Sequence, residues 1–279
     1  MLKKCTPLCL LLAVSLFGHR LTYSTEEFSV GQSKCFVLDG NSTAKVKPWV
    51  WYAPTLPRHP DPSHTWYIEK LIEKGISFAG CDQGEVRGSP ASISRFSDFY
   101  QEMVSKGYSK KPVLLGQSRG GLMMLSWAVR NPTKVAAYAG IYPVQNLRSW
   151  PMKWSLVATL RDFEMDEKTF IQRIDEHNPI NHLAGMAKAK VPIFIVHGDS
   201  DKAVPLKENS EVVRDRYKKL GGKIDVEIAT GAGHQVIDTF FKSKNLIEFL
   251  IKHSSLNIRP LPYTLIILIL KQFYETSIH

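Results

Sequence analysis

The stretch that most constrains the fold is Lys111-Pro-Val-Leu-Leu-Gly-Gln-Ser-Arg-Gly-Gly121. Val113, Leu114 and Leu115 read as a short buried strand that stops at Gly116, and an apolar helical pattern begins behind Ser118. A serine between two glycines at a strand-to-helix turn is a nucleophile elbow. The turn forces the serine into a backbone conformation that side chains resist, so small residues must flank it. The hydroxyl then projects beyond the sheet, and the N–H of Arg119 at the helix start can face a developing oxyanion. Gly-x-Ser-x-Gly by itself occurs by chance in many proteins; the strand before it and the helix after it give it weight.

The rest of the chain alternates in the same way. Pro48-Trp-Val-Trp-Tyr-Ala-Pro54, Ile76-Ser-Phe-Ala-Gly80, residues 135–139, Val191-Pro-Ile-Phe-Ile-Val-His197 and residues 224–229 read as strands, with a shorter apolar stretch at 35–38. Helical spacing follows Ser63 as a cap (Trp66, Ile68, Leu71, Ile72) and recurs over 92–106, 206–220 and 236–253. Residues 122–130 are apolar on nearly every face, as a buried helix must be. This alternation predicts an α/β fold, a mostly parallel sheet with helices on both faces. The rhythm breaks between residues 141 and 190, where Trp150-Pro151, Trp154 and an acidic helical segment suggest a small helical insertion.

The two ends differ from this body. Lys3 and Lys4 precede an apolar run from Cys5 to Gly18, the charged and apolar regions of a secretory signal. Residues 1–24 are therefore expected to be a signal peptide or an N-terminal anchor, which places the protein in a secreted, periplasmic or extracellular setting and leaves membrane association through this segment open. Cleavage after Ser15 and after Ser24 both fit. Residues 256–279 form an apolar tail of unassigned role, too short in its apolar core, Leu265-Ile-Ile-Leu-Ile-Leu270, to span a bilayer.

The formal charge of +10 could point to an anionic partner, but the basic residues are scattered, with no dense Lys/Arg block and no nucleic-acid motif. A solvated surface is the reading, and no nucleic-acid partner is expected. Of four cysteines, Cys5 and Cys9 fall in the leader; Cys35 and Cys81 either pair or stay as buried thiols. Neither sits in metal-ligand spacing, and no phosphate loop is present, so no metal and no cofactor are expected.

A serine hydroxyl needs a base to take its proton and a third group to orient that base. Ile193-Phe-Ile-Val-His-Gly-Asp-Ser-Asp201 is a strand running into a loop with two carboxylates. Ala229-Thr-Gly-Ala-Gly-His234 is a strand end, a glycine-rich turn and a histidine. Both leave the edge of the sheet that carries the elbow, in the chain order serine, acid, histidine. The agreement of three strand-end placements is the strongest signal in the sequence.

Gly116-Gln-Ser-Arg-Gly-Gly121, His197-Gly-Asp-Ser-Asp-Lys-Ala-Val-Pro205 and Gly231-Ala-Gly-His234 resemble the α/β-hydrolase superfamily, and most closely the catalytic domain of prolyl-oligopeptidase-like serine hydrolases. Asp82-Gln-Gly-Glu-Val-Arg-Gly-Ser89 is similar to their Asp-x-Arg-Gly-Ser loop. The resemblance covers roughly residues 33–252. It implies an α/β-hydrolase fold over residues 25–255, with 141–190 as the insertion. It further implies Ser118 as nucleophile, His234 as base and then acid, and Asp201 rather than Asp199 as the orienting carboxylate. One oxyanion donor is the Arg119 N–H. Related hydrolases often carry His-Gly where this chain has Trp51-Tyr-Ala-Pro54; Pro54 has no N–H, and Ala53 is the preferred second donor.

Prolyl oligopeptidases restrict access with a large N-terminal propeller, and only a few dozen residues precede the first strand here. The expectation is therefore a carboxylic-ester hydrolase acting on a small-molecule or polymer-attached ester, with Tyr142, Trp150 and Trp154 as stacking surfaces or as core of the insertion. A prolyl-oligopeptidase-type serine peptidase and a non-catalytic hydrolase-fold binding protein are the alternatives.

Overall fold

The computed structural model describes residues 24–55 and 59–255. The leader (apart from Ser24), the tail after Ser255 and residues 56–58 of the loop behind Pro54 lie outside them. Among the described residues, no helix is long and apolar enough to cross a membrane.

In chain order the strands are β1 (Thr25–Val30), β2 (Ser33–Leu38), β3 (Trp49–Ala53), β4 (Ser77–Cys81), β5 (Val113–Gln117), β6 (Ala137–Ile141), β7 (Ile193–Gly198) and β8 (Ile224–Ala229). The helices are α1 (Thr65–Ile72), α2 (Pro90–Ser105), α3 (Arg119–Arg130), α4 (Trp150–Trp154), α5 (Leu156–Phe163), α6 (Glu167–His177), α7 (Ala184–Lys188), α8 (Ser210–Lys219), α9 (Asp238–Phe241) and α10 (Lys244–Ser255). One sheet runs β1-β2-β4-β3-β5-β6-β7-β8. β1 and β2 are antiparallel to their neighbours, and every other pairing is parallel. This is the mostly parallel, helix-covered sheet of an α/β-hydrolase fold, as the alternation of elements requires.

The pleat divides each central strand between two cores. In β3, Trp49 and Trp51 face the side covered by α2, α3 and α8, while Val50 and Tyr52 face α1, α9 and α10. Trp51 stacks edge-on against Trp127 of α3, with ring centroids 4.8 Å apart. α3 is buried from Gly120 to Val129, which explains its apolar character on all faces. A third cluster (Leu122, Val144, Leu147, Phe163, Phe170, Ile174, Val204) joins α3 to the helices of residues 150–177.

Those helices hang from a buried polar knot. The Asn209 carbonyl accepts from the N–H groups of Gln145 (2.9 Å) and Asn146 (3.2 Å), and its amide donates to Ser149 Oγ and the Pro205 carbonyl. Asn178 closes the other end: it accepts from the Leu147 N–H and donates to Asn146 Oδ1 at 2.8 Å.

The elbow depends on close backbone approach. A Cβ on Gly120 would lie 2.0 Å from the Ala53 carbonyl oxygen, and one on Gly116 2.5 Å from the Cα of Gly121. In both cases the obstacle is backbone, which cannot rotate away. Gly120→Ala is expected to cost roughly 3 kcal/mol or more of stability, read as a lower urea midpoint. An unchanged midpoint would show that α3 can lift off β3.

Several boundaries differ from the sequence reading. The edge strand β1 was not foreseen. Asp61, not Ser63, caps the first helical turn: its carboxylate accepts from the Ser63 N–H while His64 Nδ1 accepts from the Asp61 N–H. The helices expected over 206–220 and 236–253 are each divided. Asn209 turns out of helical geometry (φ −122°, ψ −88°) to reach the knot. Ser243 restarts the last helix by accepting the Leu246 N–H at 3.1 Å.

Candidate active site

Ser118 stands at φ 48°, ψ −124°, a left-handed conformation that only a closely packed turn can impose on a serine. Its N–H donates to the Ile141 carbonyl, and its own carbonyl accepts from Gly121 and Val144. Ser118 Oγ lies 2.8 Å from His234 Nε2, and His234 Nδ1 lies 2.7 Å from Asp201 Oδ2. The carboxylate accepts, so the imidazole proton is on Nδ1 and the Nε2 lone pair faces the serine hydroxyl. The structure thus joins three side chains separated by 33 and 116 residues in sequence.

Asp201 is held from several directions. Oδ1 accepts from the N–H groups of Ala203 and Val204, at 3.0 and 2.8 Å. Oδ2 faces both His234 and the buried His197, whose Nε2 is 3.4 Å away. His197 donates from Nε2 to the Val204 carbonyl and accepts at Nδ1 from Ser210 Oγ. Burial alone would push the Asp201 carboxyl up, but the hydrogen bonds from His197, His234 and the Val204 amide outweigh it and hold the group well below its ordinary 3.8. A carboxyl depressed in the folded state binds fewer protons folded than unfolded below that value. Its stabilisation is therefore complete above about pH 3.8 and is lost as pH falls further. The stability deficit of Asp201→Asn against wild type should narrow in urea titrations taken from pH 5 to pH 3. A constant deficit would show that the charge is not what stabilises.

Asp199 lies away from His234. It is exposed, and its Oδ1 accepts from the Gly231 N–H at 2.7 Å, fastening the glycine turn that carries His234. Arg119 begins α3, and Ala53 ends β3 opposite Gly116 with its carbonyl against Gly120, so both oxyanion candidates reach the same strand end as Ser118. The Arg119 side chain forms an ion pair with Glu85, Nε to Oε1 2.8 Å, without hydrogen-bond alignment.

Tyr142 is not a substrate-facing surface. It is buried, with its ring centroid 4.5 Å from that of His234. Its hydroxyl accepts from Gln117 Nε2, and Gln117 Oε1 in turn meets Tyr52 Oη at 2.6 Å and His64 Nε2 at 2.7 Å. This network braces the residue before the nucleophile; only its aromatic partners had a signal in the sequence. Trp150 packs beneath the Arg87 guanidinium, whereas Trp154 is 71% exposed. Among the described residues, His59, Asp61 and His64 bring metal-type ligand atoms within 4.8 Å of one another, but Asp61 and His64 use theirs in the cap described above.

Two clefts flank the triad. One of about 490 Å³ lies beside the acid loop and includes Asp201, Pro205 and Glu211; one of about 380 Å³ lies between the start of α1 and residues 236–242. Ser118 lines neither.

The sequence model of the prolyl oligopeptidase family matches residues 91–254, more than half of the chain and all three triad positions. The chain belongs to the prolyl oligopeptidase family. This makes it a serine hydrolase. No curated protein matches it in sequence. Solved structures resemble it in fold. They include a puromycin hydrolase (16% identity, TM-score 0.64, covering 84% of this chain and 39% of that one). A Mycobacterium tuberculosis puromycin-hydrolyzing peptidase follows at 15% identity and TM-score 0.60, over 80% and 37% of the two chains. Porphyromonas gingivalis dipeptidyl peptidase 4 shows 13% identity and TM-score 0.64, over 83% and 35%. The chain thus spans between a third and two fifths of the length of these prolyl-oligopeptidase-type neighbours. The family and these neighbours are peptidases, and the ester preference read from the sequence finds no support in them.

Proposed function

We propose that this member of the prolyl oligopeptidase family is a serine peptidase that cleaves peptide or aminoacyl-amide bonds through an acyl-enzyme. The observation that carries the reading is the hydrogen-bonded relay from Ser118 Oγ through His234 to Asp201, at 2.8 and 2.7 Å. As Ser118 Oγ attacks the scissile carbonyl, His234 Nε2 takes its proton, and Asp201 stabilises the resulting imidazolium. The N–H groups of Arg119 and Ala53 face the oxyanion. His234 then gives its proton to the leaving amine, and a water activated by the same imidazole releases the acid. The family match and the peptidase neighbours, two of them named for puromycin hydrolysis, favour an amide substrate.

Carboxylic-ester hydrolysis is the second reading. It draws on the half-buried position of Ser118 outside both clefts, which suits small or polymer-attached esters reaching the serine from an open face. The test pairs one acyl group in two forms, an aminoacyl or dipeptidyl p-nitroanilide and the matching p-nitrophenyl ester. Turnover of the anilide supports the peptidase. Turnover of the ester alone would replace it with the esterase. Absence of turnover together with absence of labelling by a covalent serine probe, in folded protein, would leave a binding protein. Export to a periplasmic or extracellular setting belongs to the same proposal and rests on the Lys3–Lys4 and apolar pattern of the leader.

A further inference from the structure

Cys35 and Cys81 play no part in the relay, yet they are placed directly opposite one another on the antiparallel strands β2 and β4. The Asp82 N–H donates to the Lys34 carbonyl at 2.7 Å, one residue to the side, which makes the cysteines a non-hydrogen-bonded pair. Such pairs bring Cα atoms to about 4.5 Å and side chains closest together, within the roughly 4.4–6.8 Å that an S–S bridge spans. The two sulfurs are 2.9 Å apart. Both residues are buried, 3% and 1% exposed, so neither thiol is placed to meet a partner from solution.

We propose that Cys35 and Cys81 form a disulfide that staples the antiparallel strand β2 to the parallel body of the sheet. The co-reactant is a low-molecular-weight disulfide. One of the two cysteines as thiolate attacks one of its sulfurs and displaces the first thiol; the other as thiolate then attacks the protein sulfur of the mixed disulfide and displaces the second. Two protein thiols are oxidised, one external disulfide is reduced, and the two protein protons end on the departing thiols. Once β2 lies against β4, the hydrogen bond from Cys35 lowers the Cys81 thiol, with Gln83 Nε2 donating to the same sulfur at 3.3 Å, whereas that bond and burial raise Cys35. Burial of the pair means that exchange takes place before β1 and β2 close over β4, during folding.

The test refolds the full chain with oxidised glutathione, alkylates it in denaturant and digests it with trypsin. The expected product is peptide 35–45 joined to peptide 75–87, lighter than the two free peptides by two hydrogens and separated by reductant. Alkylation of both cysteines, or linkage of either to Cys5 or Cys9, would overturn the proposal. The oxidised protein should also melt about 5–10 °C above its reduced form. A Cys35→Ala/Cys81→Ala double variant should lose that oxidant-dependent shift. An oxidised form melting at or below the reduced one would exclude a staple.

Discussion

Ser118→Ala is expected to lower kcat about a million-fold on whichever acyl substrate the enzyme turns over, while the protein keeps its fold and melting temperature. Among the described residues the side chain hydrogen-bonds only to His234 Nε2, at 2.8 Å. Its loss leaves the imidazole held by Asp201 and Tyr142, so the defect is confined to chemistry. Because the relay acts as a unit, adding His234→Ala should cost little more. Initial rates on the paired anilide and ester, with serine-probe labelling alongside, read the effect. A variant within tenfold of wild type would place the nucleophile elsewhere.

Arg87→Ala carries the largest structural effect expected outside the triad. The Arg87 and Asp162 side chains are 5% and 8% exposed and form an ion pair between the loop after β4 and helix α5. Arg87 also donates from Nε and Nη2 to Ser155 Oγ. Truncation leaves Asp162 buried with the exposed Arg161 as its remaining cation. Removing one partner of a buried pair typically costs about 3–5 kcal/mol, or roughly 10 °C in melting temperature for a domain of this size. Proteolysis between α4 and α6 should accelerate with it. Arg87→Met/Asp162→Leu should recover most of the loss, since an apolar pair leaves no charge unmet. A single variant within 1 kcal/mol of wild type would mean that water reaches Asp162.

The parts of the fold legible in the sequence were those under a single strong constraint. β3, β5 and β7 are buried on both faces, so their apolar runs announce them. Ser118, Asp201 and His234 each follow a strand and precede a helix, so the topology alone brings them to one edge. What stayed hidden depends on partners remote in sequence. β1, Thr-Glu-Glu-Phe-Ser-Val, is largely exposed and turns only Phe28 and Val30 to the core, too short an alternation to announce a strand; it exists because β2 offers it a ladder. Asn209 interrupts a good helical pattern because residues 145 and 146 need its carbonyl. His197 stands near the end of a buried strand, but it also faces the carboxylate of Asp201, a contact set by the fold of the intervening loop. Arg87 resembled a family loop residue, and nothing in the sequence paired it with Asp162.

The knot of Asn146, Asn178 and Asn209 separates two jobs within the chain. It fixes the points where residues 150–177 leave the sheet and return to it, and two of its amides, Asn178 and Asn209, are fully buried in the frame. Helices α4–α6 between those points still reach the acid loop through Val204, which clusters with Phe163, Phe170 and Ile174 while its N–H donates to Asp201. A segment grafted between the same asparagines would therefore have to keep the apolar contact at Val204 for Asp201 to stay in place.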